Sequence, residues 1–547
     1  MKKTNKFILI TVLVLTSIFS LRFVDNYFEI SKNLDIFTTL YRELNVFYVD
    51  EVDPGSLMKT AIDAMLESLD PYTTYIPESE MEDFKFMTTG QYGGIGAIIS
   101  KRGDYIIISE PYEGFPANKA GLIPGDKILK VNKKSVKGKT TEDVSKVLKG
   151  QPNTSVKLLV ERLGKEKPLE FDLIREEVKI KSVPFFAEIE DNIGYIKLNA
   201  FHRNVSNEVA EAFNEINKDK SLKGLIFDLR GNPGGLLNEA VDVTNLFIDK
   251  GLLVVSTKGK IADWDKLYKT TKEPLDTKIP LVILVDSRSA SASEIVSGAV
   301  QDLDRGVLIG QRTFGKGLVQ QTRKLTYNSQ LKVTIAKYYI PSGRCINSVD
   351  YSNRNEDGSV GQIADSLKKE FKTSNGRIVF DGGGVNPDIV LERKKYSNIL
   401  ASIMSKRLIF DFANEFYYKN DSIKNFSIND SLYNEFVEFL KNKEYQYETK
   451  TEKALNKMIK DAEKEKYFSD LKSEINILKA KMDSSKNNDI LKFKKEISQI
   501  LEGEIISRYT LQRGRLENSL KYDEDVKEAI SLIQDSEKYN NILNTNM

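Results

Sequence analysis

The spacing of apolar positions changes along the chain, and each change predicts a different kind of element. From Asn33 to about Lys85 apolar residues recur every three or four positions, at Leu34, Phe37, Leu40 and Leu44 and again at Met58, Ile62, Met65 and Leu66, which predicts amphipathic helices. Asp70-Pro71 ends that pattern, because proline lacks an amide donor and restricts its predecessor. From about Gly90 to Glu177 the pattern is strand-rich. Gly93 to Ile99 reads as a glycine loop feeding a strand, Tyr105–Ser109, Lys127–Val131 and Ser155–Arg162 as further strands, and Glu142–Leu148 as a helix capped by Thr141. From about Ile180 to Leu391 short, continuous apolar runs at Ile193–Leu198, Gly224–Leu229, Leu281–Val285 and Val307–Gly310 alternate with helical stretches at Asn207–Ile216 and Glu294–Leu303. Strands of that kind are buried on both faces, so this block is an α/β core. Beyond Tyr396 the chain is Lys/Glu/Asn-rich with repeated helical spacing, as at Leu471, Ile475, Leu478 and Met482, and its mixed-sign charges read as solvated helix faces.

Composition narrows the function. With 547 residues the chain has room for three or four folding units, and a 40% apolar, 29% charged composition is that of a folded soluble protein. A formal net charge of +2 argues against nucleic acid as partner, which calls for a basic footprint. One cysteine, Cys345, and one histidine, His202, rule out a Cys/His zinc site within one chain and an internal disulfide, so neither a metal nor a cofactor is expected.

At the start, Lys2, Lys3 and Lys6 precede the apolar run Phe7 to Leu21, which Arg22 ends. That order is an export signal, either cleaved or retained as a membrane anchor over about residues 1–25, and it predicts a periplasmic or cell-envelope location. No cysteine lies there to carry lipid.

The block 89–177 resembles a PDZ domain, most specifically in the run PANKAGLIPGDKILKVN at 116–132. Such domains add a peptide as a strand beside an exposed edge and receive its terminal carboxylate on loop amides. Here that loop is Gly94-Ile95-Gly96, where glycines permit close approach and successive amides form an anion nest. A glycine bulge in an ordinary β domain is the plainer reading.

Candidate chemistry lies in Ser289-Ala-Ser-Ala-Ser-Glu294, after the apolar strand Leu281–Val285, and in Phe314-Gly-Lys-Gly317. A serine hydroxyl is a weak nucleophile without a base, and with one histidine in the chain a lysine is the natural candidate, provided its environment favours the neutral amine. A serine at a strand-to-helix junction lies beside free helix amides, so the Ala292 N–H is a candidate oxyanion donor. The glycine loop after Asp228, at Gly234 or Gly235, offers a second. Each piece also has a plain structural use, as an N-cap or a tight turn.

Together these motifs resemble the carboxyl-terminal processing peptidases, serine peptidase family S41, over roughly residues 34–391. They run in the family's order: LDPYTTYI at 69–76, the PDZ-like block, DLRGNPGG at 228–235, SASASEIVSGAVQD at 289–302, TFGKGLVQ at 313–320 and YYIPSGR at 338–344. The resemblance implies Ser291 as nucleophile, Lys316 as general base 25 positions later and Gln320 as the residue that positions the lysine. It also implies a crotonase-like β/α peptidase core (178–395) with an inserted β-rich PDZ domain, an N-terminal helical cap (33–88) and, here, a long helical extension (396–547).

The expected activity is therefore an exported serine endopeptidase that reads apolar C-terminal tails and cleaves through an acyl-enzyme. An inactive PDZ scaffold in the cell envelope is the alternative. His202 is expected on a cleft wall or the surface rather than in catalysis. The extension carries no site motif, and its expected uses are self-association, substrate capture or docking to an adaptor.

Overall fold

The computed structural model describes residues 27–218, 221–351, 360–361, 363 and 365–544. The lysine-led apolar segment read as an export signal lies outside them. Among the described residues no helix is long and apolar enough to cross a membrane. The chain forms two compact units, Met1–Tyr75 with Thr322–Val333, and Ile76–Gln321 with Thr334–Met547.

In the first unit a helix spans 27–47, and a second, Pro54–Glu67, begins at an Asp53 cap whose carboxylate accepts the Ser56 amide. Tyr41 ties the pair by donating to the Pro54 carbonyl at 2.7 Å. The second helix ends three residues before Asp70. That side chain accepts the Tyr72 and Thr73 amides and the Thr73 hydroxyl, so LDPYTTY is a side-chain-braced turn.

The second unit opens with helix Met81–Thr89 and then a β-rich insert. Strands Gln91–Gly94 and Glu176–Lys179 pair antiparallel and close the insert at its base. Between them a sheet runs in the order Ala97–Arg102, Tyr105–Pro111, Lys127–Val131, Ser155–Glu161, Leu169–Ile174. Helix Thr141–Leu148 buries Val144 and Leu148 in the insert's core, and a capping box of Thr140 and Asp143 fixes its start. Ala97–Arg102 is an edge strand on this path.

The β/α core is a six-stranded sheet, Phe185–Glu188, Ile193–Lys197, Gly224–Asp228, Leu281–Val285, Val307–Gly310, Ile389–Val390, antiparallel at the first pair and parallel thereafter. Residues 370–391 supply the hairpin Glu370–Lys372/Ile378–Phe380 and the last strand of this sheet. Leu225, Phe227, Ile283, Val285 and Leu308 face helices Val205–Asn217, Leu237–Asn245 and Ala292–Asp302. Ile226, Val282, Leu284, Val307 and Ile309 point the other way, and their cover comes from the chain's end: Val526, Ala529, Leu532 and Ile533 of helix Glu524–Gln534, with Tyr539 and Leu543 of helix Ser536–Leu543. Part of the extension is thus one layer of the core, because parallel strands must be covered on both faces.

The rest of the extension is a helical bundle with its own core around Leu400, Phe412, Tyr433, Phe436 and Leu501. It grips the β-rich insert through Arg407 on Ser100, Arg102 on Asp411, and Arg515 on Glu110 at 3.1 Å. Helix Lys494–Leu520 joins bundle to core and breaks inside at Leu511, φ 53° and ψ −150°. Ile497, Leu501 and Ile505 before the break pack in the bundle, whereas Leu516 and Leu520 after it pack on the sheet.

The Tyr539 hydroxyl accepts the Leu281 amide at 2.9 Å and donates to the Leu281 carbonyl at 3.1 Å, at the start of a central strand. Tyr539→Phe removes the acceptor of the buried Leu281 amide, and urea unfolding is expected to show a loss of about 1–3 kcal/mol.

Candidate active site

The apolar strand Leu281–Val285 delivers the chain to Asp286, whose carboxylate accepts the Gly231 amide at 2.8 Å and the Arg288 amide at 3.0 Å. Of the four serines that follow, two are fully buried and committed. Ser289 donates its hydroxyl to the Leu229 carbonyl at 2.9 Å, and Ser293 donates to the Asn232 carbonyl at 2.9 Å. Both tie this segment to the DLRGNPGG loop. Ser287 is exposed on the turn. Ser291 stands directly before helix Ala292–Asp302 with φ 56° and ψ −111°, a strained conformation for a residue with a Cβ. Strain of this kind presents the side chain at the tip of a sharp strand-to-helix turn.

Glu294 holds that turn. It is fully buried, and each carboxylate oxygen takes two donors. One oxygen accepts the Thr313 hydroxyl and the Gly315 amide, both at 2.6 Å, and the other accepts the Ser291 and Lys316 amides, both at 2.8 Å. The Tyr338 hydroxyl lies between the carbonyls of the same two residues, 2.5 Å from Lys316 O and 3.1 Å from Ser291 O. Residues 291 and 316 are therefore fastened together through both their N–H and their C=O groups. The lysine loop is braced from its other side by the Asn347 side chain on the Gly317 amide at 3.0 Å, and by the Val385 amide on Thr313 Oγ1 at 2.7 Å. Arg344 of YYIPSGR reaches Asp302, at the far end of the serine helix, at 2.8 Å in a buried pair. Lys316 precedes strand Leu318–Lys324 instead of lying on it, so strand alternation does not put it on the same side as Gln320. Gln320 is on the strand, and its amide donates to Thr334 at 3.3 Å.

The candidate oxyanion donors separate. A Cβ on Gly234 would lie 2.9 Å from both the Ser291 Cβ and the Ala292 nitrogen, so only glycine allows this approach. The Gly234 amide, however, donates to the Asn232 side chain at 2.9 Å. Gly235 is exposed at φ 150°, with its amide left open by the surrounding bonds Phe201 N to Gly234 O and Leu236 N to Phe201 O. Ala292 N is the first amide of its helix.

In the β-rich insert Gly94, Ile95 and Gly96 are buried where strand Gln91–Gly94 gives way to Ala97–Arg102. A Cβ on Gly96, at φ 70°, would meet the Phe115 Cβ at 2.4 Å. The apolar side chains left open nearby are Ile98 on the edge strand and Val147 on the helix, each 44% exposed. His202 lies at the foot of this insert, its Nδ1 3.1 Å from the Ser182 hydroxyl and packed on Gly90. Burial holds its imidazole below the ordinary value, with Glu208 opposing.

Glu294 and Tyr338 were not singled out as site residues from sequence. Serine followed three positions later by glutamate is a capping-box signature, so Ser291 and Glu294 carry a readable signal, whereas Tyr338 stands in the sequence only as the first residue of YYIPSGR, with no role readable from it.

A β/α core that presents a strained serine beside a lysine loop, with a β-rich insert ahead of it, is the plan of a PDZ-bearing peptidase family. The family profile "Peptidase family S41" matches residues 192–352, a PDZ domain profile matches 107–162, and "Probable PDZ-protease, C-terminal helical domain" matches 399–533. A "Probable CtpA-like serine protease" of Staphylococcus aureus (strain COL) is 36% identical over 371 residues, 67% of this chain and 66% of the relative. A "Carboxy-terminal-processing protease" of Bartonella bacilliformis is 36% identical over 322 residues, 58% of this chain and 73% of that protein. Among solved structures, a photosystem II D1 C-terminal processing protease is 28% identical with a TM-score of 0.35, covering 65% of this chain and 92% of that one. The chain belongs to peptidase family S41, among its carboxy-terminal-processing members with an embedded PDZ domain. It spans 66% of the length of the Staphylococcus relative.

Glu294→Gln keeps one carbonyl oxygen and puts an NH2 group against at least one backbone N–H that now finds an acceptor. Stability is expected to fall by at least about 2 kcal/mol in urea unfolding, and turnover by about 100-fold. Burial, partly offset by its four donors, raises the Glu294 carboxyl above the ordinary value. A raised acid binds its proton more readily folded than unfolded, so its contribution to stability is greatest at low pH and is lost as pH rises through the folded value. Acid therefore disables this hub without unfolding the protein through it. The rate is expected to fall reversibly on the acid side, above the ordinary glutamate range, while Glu294 adds no loss of melting temperature there; a rate that falls only together with melting would contradict this.

Proposed function

We propose that this chain is an exported serine endopeptidase that binds the C-terminal tails of protein substrates through its PDZ domain and cleaves by a Ser-Lys dyad. The observation that carries the reading is the double fastening of residues 291 and 316 by Glu294 and Tyr338, which serves a reaction that needs those two residues in fixed register. In the proposed acylation the neutral Lys316 amine takes the Ser291 proton as Oγ attacks the scissile carbonyl, and Gln320 orients the lysine. The Ala292 and Gly235 amides receive the developing oxyanion. The lysine returns the proton to the leaving amine. A water deprotonated by the same lysine then hydrolyses the acyl-enzyme.

The tail is read by strand addition to the edge strand Ala97–Arg102, with its carboxylate at Gly94-Ile95-Gly96 and an apolar terminal side chain between Ile98 and Val147. Export rests on the Lys2, Lys3, Lys6 and Phe7–Leu21 pattern and places the peptidase in the periplasm or cell envelope.

Protein lacking the first 25 or so residues is expected to cleave an unfolded substrate with an apolar C-terminus, and Ser291→Ala and Lys316→Ala are each expected to abolish cleavage. Cleavage by both variants sinks the dyad. An inactive wild type that still binds tails favours the scaffold alternative. Gly96→Val, which forces a side chain into Phe115, is expected to erase the preference for a free over an amidated C-terminus; an unchanged preference removes the tail-reading role from this loop.

A further inference from the structure

The last helices of the extension reach the DLRGNPGG loop through one side chain, Arg230, which is part-buried among three carboxylates. Its Nε donates to Asp228 at 3.1 and 3.2 Å, Nη2 to Asp228 at 2.7 Å and to Asp523 at 2.8 Å, and Nη1 to Asp523 and Asp525, both at 2.9 Å. All three guanidinium nitrogens are thus engaged, half of the bonds coming from residues almost 300 positions away. The backbone of residue 230 is pinned as well: its amide donates to Asp228 at 2.8 Å, and its carbonyl accepts Lys197 Nζ at 2.5 Å. Burial disfavours a charged Asp228, but Arg230 and Lys197 hold its carboxyl well below the usual range.

From this anchor a continuous run of bonds leads to the proposed nucleophile. Gly231 N donates to Asp286, the Asn232 side chain donates to the Leu198 carbonyl and accepts the Gly234 amide, and Gly234 lies against Ser291. Gly235, the open amide, comes next. Asp523 itself caps helix Glu524–Gln534 by accepting the Asp525 and Val526 amides, and that helix packs across the sheet through Val526, Ala529, Leu532 and Ile533. The cap is therefore a rigid post. Without it, the outer donors of the part-buried Arg230 lose their acceptors, and the guanidinium turns toward water and draws residues 231–235 with it.

We propose that Asp523 and Asp525 of the C-terminal extension are positioning residues for peptide hydrolysis, acting through Arg230 to set the Gly231–Gly235 loop against Ser291. The proposal rests on the Ser-Lys reading of the site. It makes the extension part of the catalytic machinery, although the extension contributes no group that touches substrate.

The test uses the full chain carrying Asp523→Asn with Asp525→Asn. Asparagine keeps the cap acceptor while removing the charge. Arg230→Lys, which keeps a cation but cannot bridge three carboxylates, is the second variant. Steady-state cleavage is expected to show kcat lowered about 10- to 100-fold with KM within about twofold. Affinity for a peptide aldehyde, whose tetrahedral adduct needs the oxyanion donors, is expected to fall in parallel. Binding of the parent peptide in a Ser291→Ala background, which needs none of them, is expected to hold.

A wild-type kcat in the double variant overturns the proposal, as does a lower kcat with unchanged aldehyde affinity. If melting curves show that the double variant does not fold, Asp525→Asn alone and Arg230→Lys are read by the same criteria. Failure of the site reading would look different, as cleavage surviving in Ser291→Ala. A wild-type double variant beside a dead Ser291→Ala defeats this inference alone.

Discussion

One buried carboxylate, Glu294, holds the centre of this protein together. A fully buried carboxylate is tolerated only where hydrogen bonds replace its lost hydration, and Glu294 has four, two of them from the amides of residues 291 and 316. The strained backbone at Ser291 and the glycine-flanked lysine loop can persist because this hub overdetermines them. Much of what surrounds it secures one of its donors: Val385 and Asn347 brace the lysine loop, and Ser289 and Ser293 tie the serine turn to the glycine loop.

The second organising constraint is the two-sided burial of a parallel sheet. Residues 178–395 supply helices for one face only, and the chain closes the other with Glu524–Gln534 and Ser536–Leu543 after a long excursion through the bundle. The excursion grips the PDZ domain through Arg407, Asp411 and Arg515. It returns to the core along a helix broken at Leu511, where the packing partner changes from bundle to sheet. A segment that looks like an appendage in the sequence thereby touches the PDZ domain and the back of the glycine loop at once.

Local chemistry made much of this legible in advance. The continuous apolar runs became the central strands with ends shifted by a residue or so, as for Ile193–Lys197, and SASAS followed by an amphipathic run became a turn into a helix. The glycines of DLRGNPGG marked a close approach, and at Gly234 the neighbour proved to be Ser291. Less legible were the partners those residues would take. In the sequence Gly234 and Gly235 are equivalent candidate donors, yet a side chain two residues upstream occupies the first. Nor does the sequence show that the strand carrying Gln320 begins only at Leu318, after Lys316.

By itself, the sequence determined which elements form, which family they belong to and which few residues carry reactive groups, because periodicity, capping and glycine conformations act within a few positions. Tertiary structure alone decided that Tyr338 joins the carbonyls of residues 291 and 316, that Asp523 and Asp525 stand behind Arg230, and that the last helices are a layer of the core. Those outcomes depend on satisfying buried charges and covering a second sheet face with groups up to 300 positions away. Such demands leave no periodic mark where the partners lie in the chain.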